Sequence, residues 1–231
     1  MAQASDPNPV RKLFELHRLD TIAALMHDCL LIPEGLLDVE LLHILAMAVD
    51  AHQQWEAGSD SHFLAHVGVV RTTDGQVMAT YQRLRDLHPR IICLLDGDAA
   101  GDSYLASLAG EPAPPTRALR WSNGWTIEDV FGWVLDAEPA VLETIDGILP
   151  VPVKTTDLVA RLKSKDRTAG GLKQDRVAYE AIGQAIAGST TARGRALVLL
   201  NAVASECLGE DTSLFCDHGE LETLLVRVFN P

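Results

Sequence analysis

Short apolar segments that alternate with helical patterns constrain the fold of this chain more than any other feature. Apolar runs at residues 29–32, 66–71, 91–95 and 117–121 are separated by segments whose apolar residues recur at helical spacing. Continuous apolar strands are typical of parallel sheets that are covered on both faces, and parallel neighbours require long crossover connections. The sequence therefore predicts an α/β fold in this part of the chain, with a parallel sheet flanked by helices.

The strand pattern does not continue beyond about residue 125, and helical periodicity takes its place. Helices are predicted over residues 126–135, 139–148, 156–163, 174–186, 192–208 and 220–228, and a further one precedes the first strand at residues 10–27. We expect three regions: an N-terminal lead-in and helix over residues 1–28, an α/β core over residues 29–124, and a mostly helical region over residues 125–231.

Composition limits the classes of function. With 47% hydrophobic residues the chain can bury a substantial core, and it contains no apolar run long enough to span a bilayer. The four cysteines are scattered, which is typical of reduced thiols, and we expect a cytoplasmic protein without a membrane partner. The net charge of -13 disfavours simple nucleic-acid binding, because phosphate contacts require Lys and Arg, unless the carboxylates hold divalent cations.

Carboxylates follow two of the predicted strands. Asp96 and Asp98 come directly after residues 91–95, whereas Glu34 and Asp38 follow residues 29–32. Functional groups collect at the carboxyl ends of parallel strands, so the four side chains converge if these strands are neighbours. Carboxylates this close repel one another unless a cation or a proton lies between them, and hard oxygen ligands suit Mg²⁺ or Mn²⁺. The pattern therefore predicts a metal centre.

Three other interpretations of the Asp-x-Asp pattern compete with a metal centre. A surface loop accounts for an isolated Asp-x-Asp equally well. An EF-hand loop that starts at Asp96 is excluded, since Ala100 and Ser107 occupy its fifth and twelfth positions. A phosphatase-type aspartyl nucleophile is possible, but it gives no account of Glu34 and Gly35 after the earlier strand.

The two elements together resemble the Toprim fold, which topoisomerases, bacterial primases and several nucleases share. Its signature is Glu-Gly after the first strand, here Glu34-Gly35, and Asp-x-Asp after the third, here Asp96-Gly97-Asp98. The Glu-Gly-x-x-Asp form and the later segment at residues 125–129 resemble the OLD (overcoming lysogenization defect) family of nucleases, in particular its class 2 members. Pro33 departs from the apolar residue that many relatives carry before the glutamate.

The resemblance implies a DNA endonuclease with two divalent ions, Mg²⁺ or Mn²⁺, in each site. It assigns the metal ligands to Glu34, Asp38, Asp96, Asp98 and Glu128, and Glu34 and Asp96 are also expected to be catalytic. One ion would activate water for attack on a phosphodiester and the other would stabilise the leaving oxygen. Glu128 could instead be an acid favoured by the dipole at a helix start, with Asp129 capping the same helix.

The family also carries a lysine in its helical part, which would offset charge in the transition state. Four lysines qualify by position: Lys154, Lys163, Lys165 and Lys173. Lys173 matches the family's sequence context best, and we take it as the predicted catalytic lysine. The alternative for each of the four is an ordinary solvated surface residue.

The expected partners follow from the resemblance. DNA is the substrate, relatives suggest a homodimer, and an ABC-type ATPase domain is expected in the full-length protein. This sequence contains no Gly-x-x-x-x-Gly-Lys-Ser/Thr phosphate loop, so we expect no ATP site in it. The alternative function is a catalytically silent Toprim module for regulation or dimerisation. Topoisomerase and primase activities are disfavoured, since the sequence offers neither a suitable tyrosine setting nor a nucleotide-binding companion domain.

Overall fold

The structure is a computed structural model, and it describes residues 18–53, 62–73, 75–115, 117–136, 139–148, 157–173, 175–209 and 225–227. None of the helices in these ranges is both long enough and apolar enough to cross a membrane. The predicted helix over residues 10–27 is observed from Arg18, and its earlier part lies outside the described residues. Cys216 and Lys154 also lie outside them.

Strands and helices alternate through the first part of the chain. The elements there are α1 (Arg18–Leu25), β1 (Cys29–Pro33), α2 (Leu36–Gln53), α3 (His62–His66), β2 (Val67–Val69), α4 (Val77–Leu84), β3 (Ile91–Leu95), α5 (Ala99–Ala109) and β4 (Arg117–Trp121). The later elements are α6 (Ile127–Leu135), α7 (Pro139–Ile148), α8 (Leu158–Lys163), a 3₁₀ turn (Arg167–Ala169), α9 (Arg176–Gly188), α10 (Thr190–Leu208) and β5 (Leu225–Arg227).

The predicted parallel sheet is confirmed. Its strands lie in the order β2-β1-β3-β4-β5, and the pairs β1–β2, β1–β3 and β3–β4 are all parallel. The strands that precede the two carboxylate motifs, β1 and β3, are direct neighbours, with Pro33 opposite Leu94. The sequence predicted that the two motifs meet if these strands are neighbours, and this condition is met.

One secondary-structure prediction is wrong. Residues 225–227, predicted as part of a helix over residues 220–228, form β5, which pairs antiparallel with β4. The edge of β4 that faces away from β3 supplies backbone hydrogen-bond partners for this short segment. The local sequence pattern carries no information about a partner so far away in the chain. The rest of that predicted helix, residues 220–224 and 228, lies outside the described residues.

The sheet is covered on both faces, as continuous apolar strands require. Alternate residues of β1 enter different cores: Leu31 packs with α2 and the helices after β4, and Leu30 packs with α1, α4 and α5. The larger core joins the sheet to the later helices through fully buried residues such as Trp121, Phe131 and Leu199. This packing fixes the later helices against the sheet and brings their loops to the carboxyl ends of β1 and β3.

Candidate metal centre

The carboxyl ends of β1 and β3 place Glu34 beside Asp96. The backbone N–H of Asp96 donates a hydrogen bond of 2.9 Å to Oε2 of Glu34, which joins the ends of the two strands. The Thr72 hydroxyl donates to the carbonyl of Pro33 at 2.7 Å and fixes the end of β1 from the other side. The carbonyl of Pro33 accepts this bond although proline has no N–H to donate.

Asp38 lies in the first turn of α2 and is buried, with 6% of its surface exposed. Its Oδ2 accepts the N–H of Gly35 at 3.1 Å. Burial raises the pKa of Asp38 to about 7, and repulsion from Glu128 and Glu34 acts in the same direction. Asp38 therefore lies close enough to two other predicted ligands for their charges to act on it.

Asp96 is the most perturbed carboxylate of the described cluster. Burial raises its pKa to about 8, and repulsion from Asp38, Glu34, Glu128 and Asp98 adds to that effect. Its Oδ1 is buried and has no hydrogen-bond partner among the described residues. A buried acceptor without a partner costs free energy, and a cation at this point would offset that cost.

Asp98 caps the helix that follows β3. It precedes α5, and its Oδ1 accepts the N–H groups of Ala100 at 2.8 Å and Gly101 at 3.0 Å, which is the N-cap geometry of a helix start. Asp102, one turn further along, forms an ion pair of 3.0 Å with Arg120. Both acids therefore contact protein groups at the start of α5.

Glu128 and Asp129 lie in the first turn of α6, after β4. Asp129 Oδ2 accepts the N–H of Thr126 at 2.7 Å, which confirms the predicted capping role of Asp129. Glu128 is buried, and only 5% of its side chain is exposed. The Thr126 hydroxyl lies 2.6 Å from Glu128 Oε2 and 3.0 Å from Asp129 Oδ2, so it can donate to one of them at a time.

The end of α8 and the loop after it each supply one lysine that reaches these two acids. Lys173 Nζ lies 3.2 Å from Glu128 Oε1, and Lys163 Nζ lies 2.7 Å from Asp129 Oδ2. The loop brings the lysines together because the N–H of Lys173 donates to the carbonyl of Ser164 at 3.0 Å. Of the four lysines singled out from the sequence, Lys173 is the one with an ion pair to a predicted metal ligand within the described residues.

The predicted ligands and the two lysines face one cleft of about 980 Å³. Its lining includes the five predicted ligands and four cations, namely Glu34, Asp38, Asp96, Asp98, Glu128, Lys163, Lys165, Lys173 and Arg176. Lys165 and Arg176 are exposed, and neither has an ion pair in the described part of the chain. The cleft thus combines an acidic floor with cationic side chains from the loop and from the start of α9.

The donor set suits a hard divalent cation by its chemistry, although the carboxylates are not gathered around one point. No three His, Cys, Asp or Glu side chains among the described residues form a group that could hold a metal ion as they stand. Four carboxylates instead face protein groups: Glu34 and Asp38 accept backbone N–H groups, Asp98 caps α5, and Glu128 pairs with Lys173. Metal binding here requires these side chains to rotate toward Asp96.

Two side chains that line the cleft were not predicted from sequence. The first is Thr126, whose hydroxyl contacts Glu128. The spacing of two residues between Thr126 and Glu128 is a signal that could have indicated this contact. Arg176 was not singled out, and the one sequence signal for it is its position three residues after Lys173.

Gly97 packs against the backbone that follows β4, and this contact yields a stability prediction. A Cβ at Gly97 would lie 1.8 Å from the carbonyl oxygen of Ser122, and its own N–H donates to Trp125 at 2.7 Å. We expect Gly97→Ala to lower the free energy of unfolding by about 3 kcal/mol, since backbone must shift on both sides. Urea denaturation monitored by circular dichroism measures this loss.

Gly194 supplies the matched control for that substitution. It lies inside α10, and among the described residues a Cβ there would have no heavy atom within 4 Å apart from its chain neighbours and the backbone of its own helix. Gly194→Ala should raise the free energy of unfolding by about 0.5–1 kcal/mol through helix propensity alone. Equal effects of the two substitutions would contradict the close packing at Gly97.

Comparisons with protein-family models, with curated proteins and with solved structures found no match for this chain. The fold and the cleft therefore define an α/β protein with a parallel sheet and an acidic site at the carboxyl ends of neighbouring strands. Membership of the OLD family stays a prediction from the motifs.

Proposed function

We propose that this protein is a divalent-metal-dependent DNA endonuclease of the Toprim and OLD type. One observation carries the proposal: the buried Oδ1 of Asp96 has no partner among the described residues, and four further carboxylates lie near enough to raise the pKa of Asp96. Such a cluster is costly for a fold to maintain without a counter-charge, and perturbed acids in a cleft are typical of functional sites.

The chemistry would divide among the residues of the cleft. Glu34, Asp38, Asp96, Asp98 and Glu128 would hold Mg²⁺ or Mn²⁺. When bound, such ions lower the pKa of water and neutralise phosphate charge, which is the chemistry that phosphodiester hydrolysis requires. Lys173 would contact the scissile phosphate, and the exposed cations Lys165 and Arg176 would bind flanking phosphates of the DNA.

The net charge of -13 disfavours DNA binding unless divalent ions offset the acids of the cleft. Three lysines and one arginine line the cleft beside six acids, so the proposal requires bound ions together with these cations to hold phosphate there. The resemblance further suggests that an ABC-type ATPase domain of the full-length protein, and a homodimer, contribute to the grip on DNA.

Cleavage of supercoiled plasmid DNA tests the proposed activity. We expect nicked or linear product with Mg²⁺ or Mn²⁺ and none with a chelator. Glu34→Gln should lose the activity, because a neutral amide replaces the proposed carboxylate ligand while its oxygen can still accept the N–H of Asp96. Metal-dependent cleavage that Glu34→Gln retains in full would exclude this cleft as its source.

A catalytically silent regulatory or dimerisation module is the second candidate, and a specific observation favours it. No ready metal-binding group exists among the described residues, and Lys173 already neutralises Glu128. A silent module predicts that calorimetry with Mn²⁺ detects no binding that depends on Asp96 and Asp98. The nuclease proposal predicts binding that Asp96→Asn abolishes.

A further inference from the structure

The ion pair between Lys173 and Glu128 links the expected metal ligands to the expected phosphate contact. Glu128 is among the least exposed charged groups of the cleft, and Lys173 approaches its Oε1 at 3.2 Å. Its other oxygen, Oε2, lies 2.6 Å from the Thr126 hydroxyl. Both oxygens of this carboxylate are therefore engaged by protein groups.

Glu128 cannot serve Lys173 and a divalent ion fully at the same time. An ammonium and a metal ion on one carboxylate repel each other, and water screens this repulsion poorly because Glu128 is buried. Lys173 is also the cation that the proposed mechanism needs at the scissile phosphate. Lys173 would thus pair with Glu128 before metal binding and with the scissile phosphate after it.

We propose that Glu128 exchanges Lys173 for the divalent ion, so that metal binding releases the Lys173 ammonium toward the DNA phosphate. The inference rests on the proposed metal-dependent function and adds an order of events to it: metal first, productive phosphate contact second. The closed loop supports the exchange, because the N–H of Lys173 is bound to the carbonyl of Ser164, so the side chain can change partner without movement of the backbone. Thr126 keeps Glu128 oriented through its Oε2 when Lys173 leaves.

Calorimetric titration with Mn²⁺ tests the exchange without any cleavage assay. Lys173→Gln should bind Mn²⁺ about tenfold more tightly than the wild type, because the ion no longer competes with an ammonium for a buried carboxylate. Lys165→Gln is the matched control: it changes the net charge equally, and Lys165 lines the same cleft without an ion pair in the described part of the chain. We expect a change of less than about threefold for it. Lys173→Arg keeps the positive charge and should bind Mn²⁺ like the wild type.

The reciprocal effect supplies a second readout. Coupling between two sites acts in both directions, so Ca²⁺ should strengthen binding of a fluorescent DNA duplex more in the wild type than in Lys173→Gln. Equal tightening of Mn²⁺ binding by Lys173→Gln and Lys165→Gln would overturn the exchange and leave Lys173 as background charge. Weaker Mn²⁺ binding by Lys173→Gln would overturn it as well. A wild type that binds no Mn²⁺ would contradict the proposed function itself, which is a different result.

Discussion

Asp96→Asn is expected to abolish metal-dependent DNA cleavage and, at the same time, to stabilise the metal-free protein. Oδ1 of Asp96 is buried without a hydrogen-bond partner among the described residues, and Asp96 receives repulsion from four other carboxylates. Loss of a ligand at the centre of the cluster should reduce the cleavage rate by about 10³-fold, since bound ions contribute several kcal/mol to the transition state. Loss of its charge removes a desolvation cost above about pH 8 and should raise the melting temperature there.

These two opposite effects distinguish a functional acid from a structural one. A structural carboxylate would lose stability when neutralised, whereas a strained functional group gains it. Asp86→Asn is the control, since Asp86 is exposed in the turn after α4 and should change neither rate nor melting temperature appreciably. The account is contradicted if Asp96→Asn both cleaves DNA normally and melts at the wild-type temperature.

The second large effect is a dependence of stability on pH that divalent metal reverses. The pKa of Asp38 is raised to about 7 and that of Asp96 to about 8, in both cases above the ordinary value of 3.8. Between about pH 4 and pH 8 the folded protein therefore holds more protons at these sites than the unfolded chain does. The free energy of unfolding contributed by them falls as the pH rises through this window.

Divalent metal should restore what is lost at high pH. Ions compete with protons for the same oxygens, so stabilisation by Mg²⁺ should be small near pH 5 and large above about pH 8. Thermal melts across this range, with Mg²⁺ and with a chelator, measure both trends. Asp96→Asn should flatten the metal-free profile and Asp86→Asn should leave it unchanged. A wild-type profile that rises through the window, or a shift by Mg²⁺ that does not depend on pH, would argue against the cluster.

The arrangement of the strands that carry the acids was predictable from sequence. The continuous apolar runs at β1 and β3 require burial on both faces, and the acids after them cannot enter the core. Their adjacency was conditional, because sequence patterns do not give strand order, and the pairing of Pro33 with Leu94 is what brings Glu34 to Asp96. The position of the acids at the strand ends follows from the local sequence, and their proximity follows from the adjacency of β1 and β3.

The cationic side of the cleft was less accessible to sequence reasoning. Lys173 was selected by resemblance to the family. Its contact with Glu128 depends on a loop whose two ends are joined by backbone hydrogen bonds, including one from the N–H of Lys173 to the carbonyl of Ser164. The backbone hydrogen bonds that close this loop leave no periodic pattern of apolar residues in the sequence. The strand β5 escaped for a related reason, since its partner β4 lies about a hundred residues earlier in the chain.

The position of bound Mn²⁺ distinguishes a metal centre from a purely structural group of acids. Crystals grown with Mn²⁺ allow anomalous diffraction to locate the ion independently of the protein atoms. We expect one or two Mn²⁺ peaks within ligand distance of Asp96 and Glu34, with Lys173 turned away from Glu128. Absence of a peak in this cleft from well-diffracting Mn²⁺ crystals, or peaks confined to other surfaces, would contradict the metal centre.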